Sequence, residues 1–251
     1  IRQLARMALV GALASNRTVK VLKIGHQQDN VLNADAFAAL CESFKTNDMI
    51  EDLEIEELLL GDAGAQVLGL ALASNHSITK LNVYLNQIGD DGCTAMAEAL
   101  KINTVLTLLD ISWNDLSDAG AKALAEMLPL NTTLRSMDLT SKYNDISEEG
   151  ARALGTAWGD MANQDLTIYL TNEHHLELFD STEMDYDETV MLEARDYQVE
   201  LRRRRELLLA FGMGLHDRLG GRKDWGSGMS FTFCGMDEDI FRLIGEALGH
   251  V

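Results

Sequence analysis

With 251 residues, 46% of them hydrophobic, the chain has the material for a substantial buried core and cannot be a disordered tail. Forty acidic residues against twenty-one basic ones give a formal charge of −19, which repels phosphate backbones and anionic membrane surfaces, so a basic protein partner is expected and nucleic acid is not. Three scattered cysteines, Cys41, Cys93 and Cys234, fit neither a disulfide framework nor a zinc site and point to a reducing, intracellular compartment, cytoplasmic or nuclear. No apolar run reaches the roughly 20 residues that cross a bilayer, so membrane insertion is not expected.

The chain opens at Ile1 inside a helical pattern, with no charged-then-apolar leader before it. An N-terminal cap, further repeats or a targeting peptide is therefore expected to be missing, and Leu4, Leu9 and Leu13 would form an apolar face open to a larger assembly.

A phrase then recurs. Asparagine stands at Asn16, Asn47, Asn75, Asn103, Asn131 and Asn163, at intervals of 31, 28, 28, 28 and 32. Three residues after each is an apolar residue (Val19, Ile50, Ile78, Leu106, Leu134, Leu166), and six after come Leu22, Leu53, Leu81, Leu109, Met137 and Tyr169. Eight after stand Ile24, Ile55, Val83, Ile111 and Leu139, and then Thr171, where the sixth copy decays. Apolar residues two apart predict a short strand with one buried face, and the next dozen residues switch to helical spacing, as in "DAGAKALAEML". Leu40 and Phe44, Leu68 and Leu72, Met96 and Leu100, and Leu124 and Leu128 place one stripe of each helix against the strands. One unit cannot bury that stripe alone, so the units stack.

The repeated asparagine at the helix end suits the left-handed conformation that closes a helix. Ser117 and Ser147 are expected to cap the helices that follow them. Gly64, Gly92, Gly120 and Gly150 recur in the first helical turn, where a missing side chain allows close approach of the neighbouring coil. Asn86, Asn114 and, after a two-residue insertion, Asn144 stand just beyond the strand, where their amides form a structural ladder between coils. Unit two carries Leu58 at that place, and the longer unit one reads "GHQQDNVLN" there.

The phrase "LTLLDISWN", with Leu106, Leu109, Ile111 and Asn114 in an LxxLxLxxN pattern, resembles the leucine-rich repeat. The 28-residue unit with "GAxALAxxL" is similar to the ribonuclease-inhibitor-like subclass, which includes ribonuclease inhibitor, Ran GTPase-activating proteins, tropomodulins and the sensing domains of NOD-like receptors. The resemblance implies an α/β fold: a curved solenoid of five to six repeats over residues 1–171, with parallel strands on the concave side and helices on the convex side. Residues 172–251 would be a linker and a mainly helical cap over its last apolar edge.

In such a solenoid the strand residues between the buried ones line the concave face. That face gathers Asp52, Glu54, Glu56, Glu57, Asn82, Tyr84, Asp110, Trp113 and Asp138, and "EDLEIEE" with two aromatic residues on the following strands would offer a basic segment both charge and anchors. Five or six strands about 4.8 Å apart make a face about 25 Å across, suited to a loop, helix or peptide.

No catalytic, metal or cofactor site is expected. His174 and His175 are adjacent rather than three or four apart, "GMGLHDRLGG" has Asp217 in place of the third glycine of a dinucleotide loop, and "DSTEMDYDET" lacks the pattern of a calcium loop. In the tail, residues 187–219 read as a helix with Val190, Ala194, Tyr197, Leu201, Leu208 and Leu215 near one face. Arg202 to Arg205 read as an ion-paired helical face. "GMDEDIFRLIGEAL" is loosely similar to the core helix of an F-box. The chain is thus expected to be a non-enzymatic interaction module or scaffold, with a GTPase-activating regulator resembling the Ran GTPase activators, or a ubiquitin-ligase substrate adaptor, as alternatives.

Overall fold

A computed structural model describes residues 11–25, 34–140, 143–161, 165–170, 191–199 and 203. Each unit begins with a strand: β1 Val21–Gly25, β2 Asp52–Glu56, β3 Lys80–Asn82, β4 Leu108–Asp110, β5 Ser136–Asp138 and β6 Thr167–Tyr169. Between them run α1 Ala34–Phe44, α2 Gly61–Leu72, α3 Asp90–Leu100, α4 Asp118–Met127 and α5 Glu148–Asp160. All six strands are parallel and lie in chain order in one sheet. The register aligns like with like: Leu53 opposes Leu81, Leu81 opposes Leu109, and Leu109 opposes Met137. Every unit therefore turns its inward residues to the same helical stripe. Leu53, Ile55, Leu81, Val83, Leu109 and Ile111 meet Leu68, Leu72, Met96, Leu100 and Leu124 in one continuous core, all fully buried. Each such side chain contributes about 1.5–3 kcal/mol by leaving water.

The described helix-end asparagines, Asn16, Asn47, Asn75, Asn103 and Asn131, do not take the left-handed conformation. Among the described residues, the left-handed ones other than glycine are Glu57, Leu59, Leu85, Gln87 and Trp113, all in turns after strands. Each asparagine acts through its side chain instead. Asn103 Oδ1 accepts from Val105 N and Leu106 N at 2.9 and 2.8 Å, and its Nδ2 donates to Leu72 O of the preceding coil at 2.7 Å. Asn47, Asn75 and Asn131 repeat the pattern, donating to Leu13 O, Phe44 O and Leu100 O. The residue type is required because one carboxamide supplies an acceptor for its own turn and a donor for the neighbour's last helical carbonyl.

A second column lies at the other end of the strands. Asn86 Nδ2 donates to Ile55 O at 2.7 Å, and its Oδ1 accepts from Leu58 N at 3.0 Å, so Leu58 joins the stack through its backbone. Asn114 accepts from Asn86 N and Ile88 N, and Asn144 accepts from Leu116 N.

A third column had no counterpart in the sequence reading. Asp62, Asp90 and Asp118, at the helix starts, each accept two backbone N–H groups from the next coil: Gly89 and Gly92, Ser117 and Gly120, Ser147 and Gly150. Ser117 and Ser147 also donate their hydroxyls to Asp90 and Asp118 at 2.6 Å, while capping their own helices by accepting from Ala119 N and Glu149 N. The glycine is needed for this approach, since a Cβ on Gly120 would lie 2.7 Å from Asp90 Oδ1. Gly64 differs: its nearest neighbour is Leu60 of its own turn, and Ala34 stands 28 residues before Asp62. Burial pushes the Asp118 carboxyl up, but the Ser147 hydroxyl and the Ser147 and Gly150 N–H groups outweigh it and hold the group below its ordinary value.

The sixth copy is shortened rather than decayed. Leu166, Ile168 and Leu170 are its buried residues, Ile168 opposes Met137, and Tyr169 points outward opposite Asp138. One residue fewer after Leu166 shifts Tyr169 and Thr171 out of the apolar series, because each step in a strand reverses the side-chain direction.

Leu13 is buried at 6% exposure rather than open, while Leu4 and Leu9 lie outside the described residues. Cys41 and Cys93 are buried, and burial pushes the Cys41 thiol up to about 12 and Cys93 higher still, so both pack as neutral thiols. The chain divides into two compact units, Ile1–Asp196 and Tyr197–Val251. Within the first, the helical residues from 191 to 196 lie on α5: Met191 is fully buried, and a Cβ on Gly155 would lie 2.1 Å from Met191 O. The Arg195 guanidinium stands 4.0 Å above the Trp158 ring, while Trp158 Nε1 and Arg195 Nε are buried without hydrogen-bond partners. Ala194 is buried as the tail helix pattern predicts, but Tyr197 is 63% exposed and does not share its face. His174, His175, residues 180–189, 212–221 and 235–248, and the arginine run apart from Arg203 lie outside the described residues.

Candidate partner-binding face

Alternation along each strand sends every second side chain away from the helices. On β2, Leu53 and Ile55 point inward, and Asp52, Glu54 and Glu56 point to the open face, half-buried. Glu57 follows in an exposed left-handed turn, its N–H donating to Tyr84 O at 3.2 Å. The next strands bring Asn82, Asp110, Asp138 and Tyr169 side by side with Glu54. All nine residues expected on the face are thus on the β2 to β5 side of the sheet or at its rim.

They are not equivalent in chemistry. Lys23 Nζ sits 2.6 Å from Glu54 Oε2, and Lys20 Nζ sits 2.6 Å from Glu51 Oε1, so one acid of β2 and the acid just before it already hold cations from the preceding coil. The Glu54 contact holds the Lys23 ammonium above its ordinary value. Glu56 Oε1 accepts from Asn82 Nδ2 at 2.7 Å.

Asn82, Asp110 and Asp138 form a fourth repeated device. Their side-chain oxygens accept from Tyr84 N, Ser112 N and Thr140 N at 2.8, 2.9 and 2.9 Å, two residues on. Asp110 and Asp138 also take the Ser112 and Thr140 hydroxyls. Burial pushes the Asp110 carboxyl above its ordinary value against these hydrogen bonds, and neighbouring Asp138 adds to the rise. These two acids shape the strand ends and already use much of their hydrogen-bonding capacity.

An aromatic row borders the acids. The Tyr84 and Trp113 rings are 5.9 Å apart and inclined at 46°; Trp113 and Tyr143 are 5.6 Å apart and inclined at 69°, an edge-on arrangement. Tyr143, 49% exposed, is the member that the sequence reading missed. The signal was present: Tyr143 precedes Asn144 as Trp113 precedes Asn114. The two-residue insertion in that unit hid the equivalence. Tyr169, 48% exposed, was hidden in the same way by the shortened sixth copy.

Among the described residues no cluster of His, Cys, Asp and Glu has the arrangement of a metal site, and no helix is long and apolar enough to cross a membrane. The family described as Leucine Rich repeat matches residues 74–97, 103–125 and 130–155. No curated protein matches the chain. Among solved structures, one described as Leiomodin-1 Actin-Binding Site 2 is similar with a TM-score of 0.48 and 15% identity, over 81% of this chain and 95% of that one. Three consecutive matches fall on the coils of β3, β4 and β5, and the same parallel sheet runs on to β1 and β6, so the described strands and helices form an α/β stack of leucine-rich repeats.

Proposed function

We propose that the chain is a non-enzymatic interaction module whose open strand face holds a basic segment of a protein partner. The observation that carries this reading is the grouping of Asp52, Glu54, Glu56 and Glu57 on one strand and its turn, bordered by Tyr84 and Trp113. The strand already attracts cations: Lys20 and Lys23 reach across to Glu51 and Glu54. Exposed pairs of this kind contribute only about 0–1 kcal/mol, so an incoming arginine can displace a lysine at little cost. On this reading residues 1–171 present the face and residues 172–251 cover the last apolar edge. The packing of Met191 on Gly155 supports that cover.

The test is affinity capture with the parent and with an Asp52→Lys/Glu56→Lys variant, followed by mass spectrometry and by direct binding of the captured protein's basic segment as a synthetic peptide. Loss of a partner from the variant, together with binding of its basic peptide by the parent alone, supports the reading. Identical partners from both proteins would place binding elsewhere.

A further inference from the structure

We infer that the occupant of this face is an extended segment with arginine at alternate positions, and that it is read by the row Tyr84, Trp113 and Tyr143 rather than by charge alone. This rests on the acidic-face reading and adds the identity of the side chains it recognises.

The three rings belong to three successive coils and stand 5.9 and 5.6 Å apart, so they make a strip that runs along the repeat axis, across the strands. An extended chain advances about 3.1–3.4 Å per residue, so side chains on one of its faces recur at about 6.2–6.8 Å. That is close to the ring spacing, and the flexible stem of arginine takes up the remainder. Neighbouring residues of such a chain point to opposite sides, so only alternate ones meet the strip.

The choice of arginine over lysine follows from the surroundings. A guanidinium stacks its plane on an aromatic ring and keeps its edge N–H groups for acceptors, whereas an ammonium offers a point charge. Acceptors stand beside the row. Glu56 and Glu57 lie on the coil before Tyr84, and Asp110 and Asp138 lie on the strands that lead to Trp113 and Tyr143. The described residues show such a pairing elsewhere, with Arg195 on the Trp158 ring.

The test uses the full chain, with Trp113 emission and calorimetry as readouts. The probes are three peptides of equal charge: Gly-Arg-Thr-Arg-Thr-Arg-Gly, the same peptide with lysine for arginine, and Gly-Thr-Arg-Arg-Arg-Thr-Gly. The alternating arginine peptide should change Trp113 emission and bind about tenfold more tightly than the other two. Trp113→Leu should reduce it to the level of the lysine peptide. That variant is safe for folding, because Leu85 holds the equivalent place in the preceding coil at φ 52°, against 55° for Trp113. Equal binding of the arginine and lysine peptides, both lost in Asp52→Lys/Glu56→Lys, would overturn the stacking inference and leave the acidic face standing. Equal binding of the contiguous and alternating arginine peptides would overturn the spacing. Binding of none of the three, or binding unchanged by the charge reversal, would overturn the acidic-face reading itself.

Discussion

Asn103 uses nearly all of its hydrogen-bonding capacity inside the protein: two N–H groups of its own turn, the last helical carbonyl of the preceding coil, and a longer contact to Asn75 O. It is 4% exposed, so water cannot replace these partners. Asn103→Ala strands the buried Leu106 N–H, the part-buried Val105 N–H and a carbonyl at about 1–3 kcal/mol each, less what relaxation recovers, and should lower stability by about 3 kcal/mol in urea unfolding. A loss below about 0.5 kcal/mol would contradict the account of this column. Asp110 gives the opposite expectation. Its folded-state carboxyl lies above the ordinary 3.8, chiefly through burial, so its charge weakens the fold at neutral pH. That cost fades as pH falls through the raised value and is gone below 3.8. Asn82 makes the same turn with a neutral amide. Asp110→Asn should therefore melt no lower than the parent at pH 7, with the difference between them closing on acidification, and a clear drop in Tm at pH 7 would contradict this.

At the scale of the element, the three junctions from α2 to α5 are each set by an aspartate and a glycine 30 or 32 residues apart. Gly120→Ala must move Asp90 off two N–H groups, and overpacking of this kind costs about 1–3 kcal/mol. Thermal unfolding should show that loss. Gly61→Ala, where a Cβ meets nothing within 4 Å, isolates the separate effect of a left-handed backbone at φ 57°. Gly155→Ala displaces the Met191 backbone and should change Trp158 emission and speed amide exchange over 191–199; unchanged exchange would show that the contact does not hold this helix. The strands, the helices and their buried stripes were legible in the sequence because both periods are written in apolar residues. The interlocking was less so. Asp62, Asp90 and Asp118 stand where acids ordinarily start helices, and a hydrogen bond to a residue 27 to 32 positions away leaves no local trace. The helix-end asparagines were visible as a column but were assigned a backbone role in place of a side-chain one.

Across the whole molecule, stacking in register turns a 28-residue period into continuous columns, and the candidate face is one of them. Its acids could be read directly, because strand alternation decides which side chains face outward. Which acids are already engaged could not, since the pairing of Lys20 and Lys23 with β2 depends on register between coils. The aromatic row was half legible, as the insertion before Tyr143 broke the spacing that would have revealed it. Because each coil contacts only its neighbours, a charge change on β2 should leave the β4 and β5 coils intact, its structural effect confined to local contacts such as the Glu56–Asn82 hydrogen bond. The most direct measurement is calorimetric titration of the full chain with the alternating arginine peptide at low and high salt, for the parent and for Asp52→Lys/Glu56→Lys. Binding by the parent that weakens with added salt, and at least a tenfold loss in the variant, is the predicted result. Binding that is indifferent to both salt and charge reversal would contradict the claim that this face receives a basic partner.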